Sequence, residues 1–186
     1  TTQTQVYNEG DPSVALDDIV VTDVDTGEIV TATLTLANPL AGSLTTTGGG
    51  SYISLTGIWT ITDTVANVNT ALAAVTFEPN ATFDLDTVIA VAIADGGESG
   101  TVPVTGIITL DVTAVNNQAA ATNTTQTQTY TEGAASVALD DIVVTDADTN
   151  EMITATLTLA DTSAGVLTTS GSATYTVGTG VWTITD

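Results

Sequence analysis

Ile29-Val-Thr-Ala-Thr-Leu-Thr-Leu36 decides the fold class. Val30, Ala32, Leu34 and Leu36 are apolar, and Thr31, Thr33 and Thr35 alternate with them. Alternate side chains of a strand share a face, so a period of two marks a half-buried β-strand. Thr, Val and Ile are stiff at χ1 and suit a pleated surface. Outward from this stretch the same pattern recurs. Val88–Ala94 alternates Ile89, Val91 and Ile93 with Ala90 and Ala92. Thr101–Val115 places Ile108, Leu110 and Val112 on one face, with Gly106 as a candidate bulge. Trp59 and Ile61 share a face in a shorter strand, as core residues rather than a ligand platform. Turn clusters such as Thr47-Gly-Gly-Gly50 and Asp95-Gly-Gly97 separate the runs. One segment differs: Val65, Val68 and Leu72 in Thr64–Ala74 have helical spacing, with Asp63 or Thr64 as N-cap. About eight strands and one crossover helix read as an all-β, Greek-key β-sandwich of the cadherin/Ig-like kind.

The unit then repeats. Thr1–Asp63 and Thr124–Asp186 align without a gap at an offset of 123, with 43 of 63 positions identical. Ser13-Val-Ala-Leu-Asp-Asp-Ile-Val-Val-Thr-Asp23 recurs as Ser136–Asp146, and Trp59-Thr-Ile-Thr-Asp63 as Trp182–Asp186. A fixed period of this length means one domain per repeat. The expected organisation is a complete sandwich over 1–117 and the first half of a second repeat over 118–186. The chain reads as a piece of a longer tandem protein, whose partners are adjacent repeats and, in a fibre, identical chains.

Composition excludes much. There is no Lys, Arg, His or Cys, and the formal charge is −22. Disulfides, Lys–Asn cross-links and side-chain ion pairs are absent by composition. Nucleic-acid binding needs cations for the phosphates, and an anionic membrane surface repels such a chain. No apolar run is long enough to span a membrane. An apolar content of 42% is ample for a core. Without His, Cys or Lys there is no ordinary base or nucleophile near neutral pH, so no enzymatic role is expected.

The carboxylates are clustered. Asp23-Val-Asp25 follows the run Ile19-Val-Val-Thr22, with Glu28 three residues on, and Asp146-Ala-Asp148 with Glu151 repeats the arrangement. Two carboxylates on one side of a strand end repel unless a cation lies between them, and no side chain here supplies one. Ca²⁺ takes six to eight oxygens and fits such a place. Asp95 ends another strand and can join Asp23 and Asp25. The plainer alternative is that Asp caps its own turn.

The order Tyr7-Asn-Glu-Gly10, Val21-Thr-Asp-Val-Asp25, Trp59-Thr-Ile-Thr62, Leu72-Ala-Ala-Val-Thr-Phe77, Val91-Ala-Ile-Ala-Asp-Gly-Gly97 and Leu110-Asp-Val-Thr-Ala-Val-Asn-Asn117 resembles the bacterial cadherin-like repeats of giant, often RTX-type, surface adhesins. The resemblance covers the whole unit and the half-unit. It implies Ca²⁺ at junctions between domains. The internal junction would use Glu9, Asn116, Asn117, Asp146 and Asp148; Asp23, Asp25 and Asp95 would serve the junction before Thr1, and Glu132 the next one. Asp63 is an additional candidate ligand. The family linker usually reads Val-Asn-Asp-Ala-Pro, whereas Val115-Asn-Asn-Gln-Ala119 puts Asn117 in place of an aspartate and has no proline.

Three functions follow as expectations: a structural extender of an extracellular adhesin on a bacterial cell surface, a subunit of a self-assembling filament, sheath or surface layer, or a carbohydrate-binding module. The positive mean hydropathy keeps the filament in view.

Overall fold

The computed structural model describes residues 2–24, 27–96 and 102–186. It divides into two compact units, Thr1–Asn116 and Asn117–Asp186. The protein is an all-β sandwich with one short helix. Among the described residues, no helix is long and apolar enough to cross a membrane.

In the first unit the strands are β1 (Thr2–Asn8), β2 (Val14–Ala15), β3 (Ile29–Leu36), β4 (Gly42–Leu44), β5 (Ser51–Ile53), β6 (Ile58–Thr64), β7 (Thr76–Pro79), β8 (Thr87–Asp95) and β9 (Val104–Thr113). One sheet has the order β1-β9-β8-β3-β6-β5 and the other β2-β7-β4. The alternation read from Ile29–Leu36 is realised: Ala32 and Leu34 are fully buried and Leu36 nearly so, while the threonines between them are half-exposed. Each buried leucine contributes about 1.5–3 kcal/mol relative to exposure. Trp59, Ile89, Ile108 and Leu110 complete the inner face of the large sheet, and Phe77 and Leu44 face them from the small one. Gly106 makes no bulge. It sits opposite Val91 in an unbroken antiparallel register from Thr87–Leu110 to Ile93–Val104.

The helix α1 (Val65–Ala74) joins β6 of the large sheet to β7 of the small one and buries Val68, Ala71 and Leu72. Its N-cap residue is Thr64, whose side chain makes no capping bond. Asp63 braces the helix start instead: its Oδ1 accepts from the Thr64 N–H at 2.7 Å and from the Asn67 side-chain Nδ2 at 2.9 Å. The helix stops where Val75 turns extended and returns its N–H to Leu72.

β1 and β9 run parallel, with Thr2 opposite Ile107 and Asn8 opposite Thr113. The unit's first strand therefore begins at one pole and its last strand ends at the other. The ladder between them spans about 20 Å at strand rise.

The second unit contains β10 (Ala120–Ala121), β11 (Val144–Thr145), β12 (Thr154–Thr158), β13 (Thr174–Thr176) and β14 (Val181–Thr185). β10 pairs with β11, and β12-β14-β13 form a sheet. Local devices repeat faithfully. Gln3 brackets Asp17, accepting its N–H at 2.8 Å and donating to its carbonyl at 3.1 Å, and Gln126 does the same to Asp140 at 2.6 and 3.1 Å. The Thr31–Thr62 hydroxyl contact recurs as Thr154–Thr185, both at 2.8 Å. The tryptophans differ. Trp59 is fully buried against Gly50, where a Cβ would come within 2.2 Å of the ring. Ala173 stands at the corresponding place in the second unit, and Trp182 is half-buried with Nε1 donating to the Thr168 carbonyl at 3.2 Å.

Candidate metal centre

Asp23, Glu28 and Asp95 each bring a carboxylate oxygen within 4.8 Å of the others. Three elements converge to do this. Asp95 closes β8 opposite Val30 of β3, and the next residue, Gly96, donates its N–H to the Ile29 carbonyl at 3.2 Å. Glu28 immediately precedes β3. The segment carrying Asp23 is fastened to α1 through Asn69, which accepts the Val21 N–H at 2.8 Å and donates to its carbonyl at 2.9 Å. Asp25 lies outside the described residues.

Asp146, Asp148 and Glu151 form a second group, again within 4.8 Å, in which Asp146 and Glu151 stand at the repeat positions of Asp23 and Glu28 and Asp148 at that of Asp25. Part of the arrangement is the ordinary turn role of aspartate, since Asp146 Oδ1 accepts the Asp148 N–H at 3.1 Å. Asn117 adds two donors to Asp148, its N–H to Oδ2 at 2.6 Å and its Nδ2 to Oδ1 at 3.1 Å. Glu151 is held above the usual glutamate range, first by desolvation, then by its hydrogen bond to Asp148 and the charges of Asp146 and Asp148. Crowded carboxylates raise one another's pKa in this way, and a hard dication reverses the effect by favouring the ionised forms.

The other candidates are placed differently. Glu9 is 8% exposed. Its carboxylate accepts the Val115 N–H at 2.9 Å and its own N–H donates to the Thr113 carbonyl at 3.0 Å. It thereby ties the end of β1 to the end of β9, at the pole opposite Asp95. Asn116 is exposed just beyond that pole, and Glu132 is exposed in the second unit. Asp63 belongs to neither acidic group; its ties to Thr64 and Asn67 hold it below the usual aspartate range, the Asn67 hydrogen bond foremost.

Glu28 and Glu151 were absent from the ligand set inferred from the sequence. The signal was present: each follows its Asp-x-Asp by three residues, and both recur at the same offset. Chemically, three clustered carboxylates offer a hard oxygen site suited to Ca²⁺, which accepts flexible geometry at about 2.3–2.6 Å.

No protein-family model matches the chain, and no curated protein matches it.

Proposed function

We propose that this chain is a structural extender, a stretch of cadherin-like tandem repeats from an extracellular adhesin of a bacterial surface, stiffened by Ca²⁺. The observation that carries the reading is the parallel pairing of β1 with β9. It puts the entry and exit of a repeat at opposite poles, which is what a chain of domains needs to gain length with every unit. Supporting it, carboxylates cluster as Asp23/Glu28/Asp95 and as Asp146/Asp148/Glu151, with Asp146 and Glu151 at the repeat positions of Asp23 and Glu28, in a chain with no cationic side chain to neutralise them. Calcium held there supplies the missing positive charge, and the remaining negative surface keeps an array soluble and extended.

Concatenated copies of the Thr1–Asn123 unit test the reading by small-angle scattering. Maximum dimension should rise in proportion to copy number in Ca²⁺. Growth nearer the square root, the behaviour of a flexible chain, would sink it. Calorimetry tests the metal separately. Millimolar Ca²⁺ should raise the thermal midpoint, as any ligand of the native state does, and the double change Asp146→Asn and Asp148→Asn should remove the rise in the second unit's transition. An unchanged midpoint in the parent chain would exclude calcium.

A self-assembling filament or surface layer is the second reading. It is favoured by apolar side chains left exposed on strands, among them Val6 on β1 and Ile107 on β9. Sedimentation at rising concentration separates the two, because an extender stays monomeric.

A further inference from the structure

We propose that a polar groove of the first unit, between β6 and α1, is a binding site for the lysine side chain of a partner polypeptide. The inference goes beyond the extender reading and depends neither on it nor on calcium.

The groove holds about 480 Å³. It opens where β5 stops. β5 covers β6 only from Ile58 to Thr60, so β6 runs on to Thr64 with that side uncovered by a strand among the described residues. Leu36 of β3 donates to the Gly57 carbonyl, and strand alternation then turns the Thr62 carbonyl to the uncovered side. Asn67 and Thr70 of α1 form the other wall, and Gly48 and Gly49 the rim. The glycines let that rim lie close against the helix. Their φ values are 93° and 105°, and a Cβ on Gly48 would come within 2.8 Å of Ala71.

The groove is rich in acceptors and poor in donors. The Ser51, Thr60 and Thr70 hydroxyls give their hydrogens to the carbonyls of Thr60, Ala32 and Ala66 at 3.4, 3.2 and 2.9 Å. Each of these hydroxyls then has only lone pairs to offer. Asn67 Nδ2 spends one of its two hydrogens on Asp63 Oδ1, and the amide oxygen remains an acceptor. Asp63 Oδ1 is occupied by that bond and by the Thr64 N–H, whereas Oδ2 accepts no hydrogen bond among the described residues. The same bonds hold Asp63 below the usual aspartate range, so it is ionised at neutral pH. The positive end of the helix opposes a cation, but Asp63 stands before it with a full negative charge. The complement of several acceptors around one anion is a cation with several donors. No side chain of this chain can be that cation, because there is no Lys, Arg or His.

The same atoms choose among cations. Arginine grips a carboxylate as a fork on both oxygens, and here Oδ1 is already spent. Ca²⁺ takes six to eight oxygens and favours several carboxylates, and this groove has one. An ammonium is a compact charge with three donors, and its four-carbon stem can lie along Ile61, the apolar residue of the lining.

The test is a residue-resolved NMR titration of the full 186-residue chain with Nα-acetyl-lysine methylamide. Saturable shifts should appear at Gly49, Thr62 and the Asn67 side-chain amide, with a dissociation constant of about 1–10 mM. The norleucine counterpart, which keeps the stem without the ammonium, should give none. The arginine counterpart should bind about threefold more weakly or worse. Asp63→Asn should abolish the shifts. Asp111→Asn, on β9 three strands away, should leave them in place, which separates a site from diffuse attraction to a chain of charge −22. If Asp63→Asn loosens the start of α1, the pair Ser51→Ala and Thr70→Val removes two acceptors without touching that start, and should weaken binding about tenfold. No saturable shift, equal binding of the norleucine or arginine counterpart, shifts that survive in a folded Asp63→Asn chain or in the Ser51→Ala, Thr70→Val pair, or equal loss with Asp111→Asn would each overturn the proposal.

Discussion

Asn117 grips the Asp148 carboxylate from two sides, with its backbone N–H on Oδ2 at 2.6 Å and its side-chain amide on Oδ1 at 3.1 Å. Read from sequence, this asparagine was a lost anionic ligand. In the folded unit it is a donor, and its charge neutrality is what allows so close an approach to an aspartate.

Replacing Asn117 with Asp should therefore destabilise the second unit by about 1–2 kcal/mol in chelator, through a lost hydrogen bond and a new like-charge contact. Ca²⁺ should restore part of that loss if the acidic group binds it. Thermal unfolding of the variant with and without Ca²⁺ is the measurement.

Leu34 and Leu157 occupy the same place in the repeat, but Leu34 is fully buried and Leu157 only partly. Leu34→Ala should cost about 2–5 kcal/mol. Leu157→Ala should cost clearly less, because its side chain has fewer neighbours to lose. Denaturant unfolding of the two variants makes the comparison, and equal losses would contradict the difference in burial.

Among the described residues the buried Tyr7 hydroxyl has no hydrogen-bond partner, and burial raises its pKa, with the charges of Asp86 and Glu9 adding to the effect. A buried unsatisfied donor is unfavourable, so Tyr7→Phe should be neutral or should raise stability by about 1 kcal/mol while keeping the ring contact with Phe77. A lowered thermal midpoint would show that the hydroxyl has a role that the geometry lacks.

Asp63 gives a pH dependence with a definite sign. Its folded pKa is depressed by Asn67 and the Thr64 N–H. Its contribution is thus fully present above the ordinary aspartate value and is lost as pH falls through the lower folded value. Carboxyl NMR titration should place its midpoint below that of an ordinary aspartate, and Asn67→Ala should move it back up.

The sequence carried the strands that pair locally and the helix. Ile29–Leu36 showed its buried face by alternation, and Val65, Val68 and Leu72 marked α1 by spacing. It carried the Asp146–Asp148 pair, as an Asp-x-Asp at a strand end. It did not show that Glu28 and Glu151 close the acidic groups, since the glutamates reach them only after the chain has turned into β3 or its counterpart. It placed Asp63 at the helix start, but it did not show that Gly106 would lie in regular register. That outcome depends on a neighbour from another strand: Val91 fixes Gly106 from β8. The parallel partnership of β1 and β9 joins residues about a hundred apart, which no local pattern encodes.

That partnership also sets how the molecule answers tension. Pulling Thr2 and Thr113 away from each other slides β1 along β9, so the whole seven-residue ladder from Thr2–Ile107 to Asn8–Thr113 is sheared together instead of being unzipped one bond at a time. Under load the first unit should hold until its terminal strands part as one.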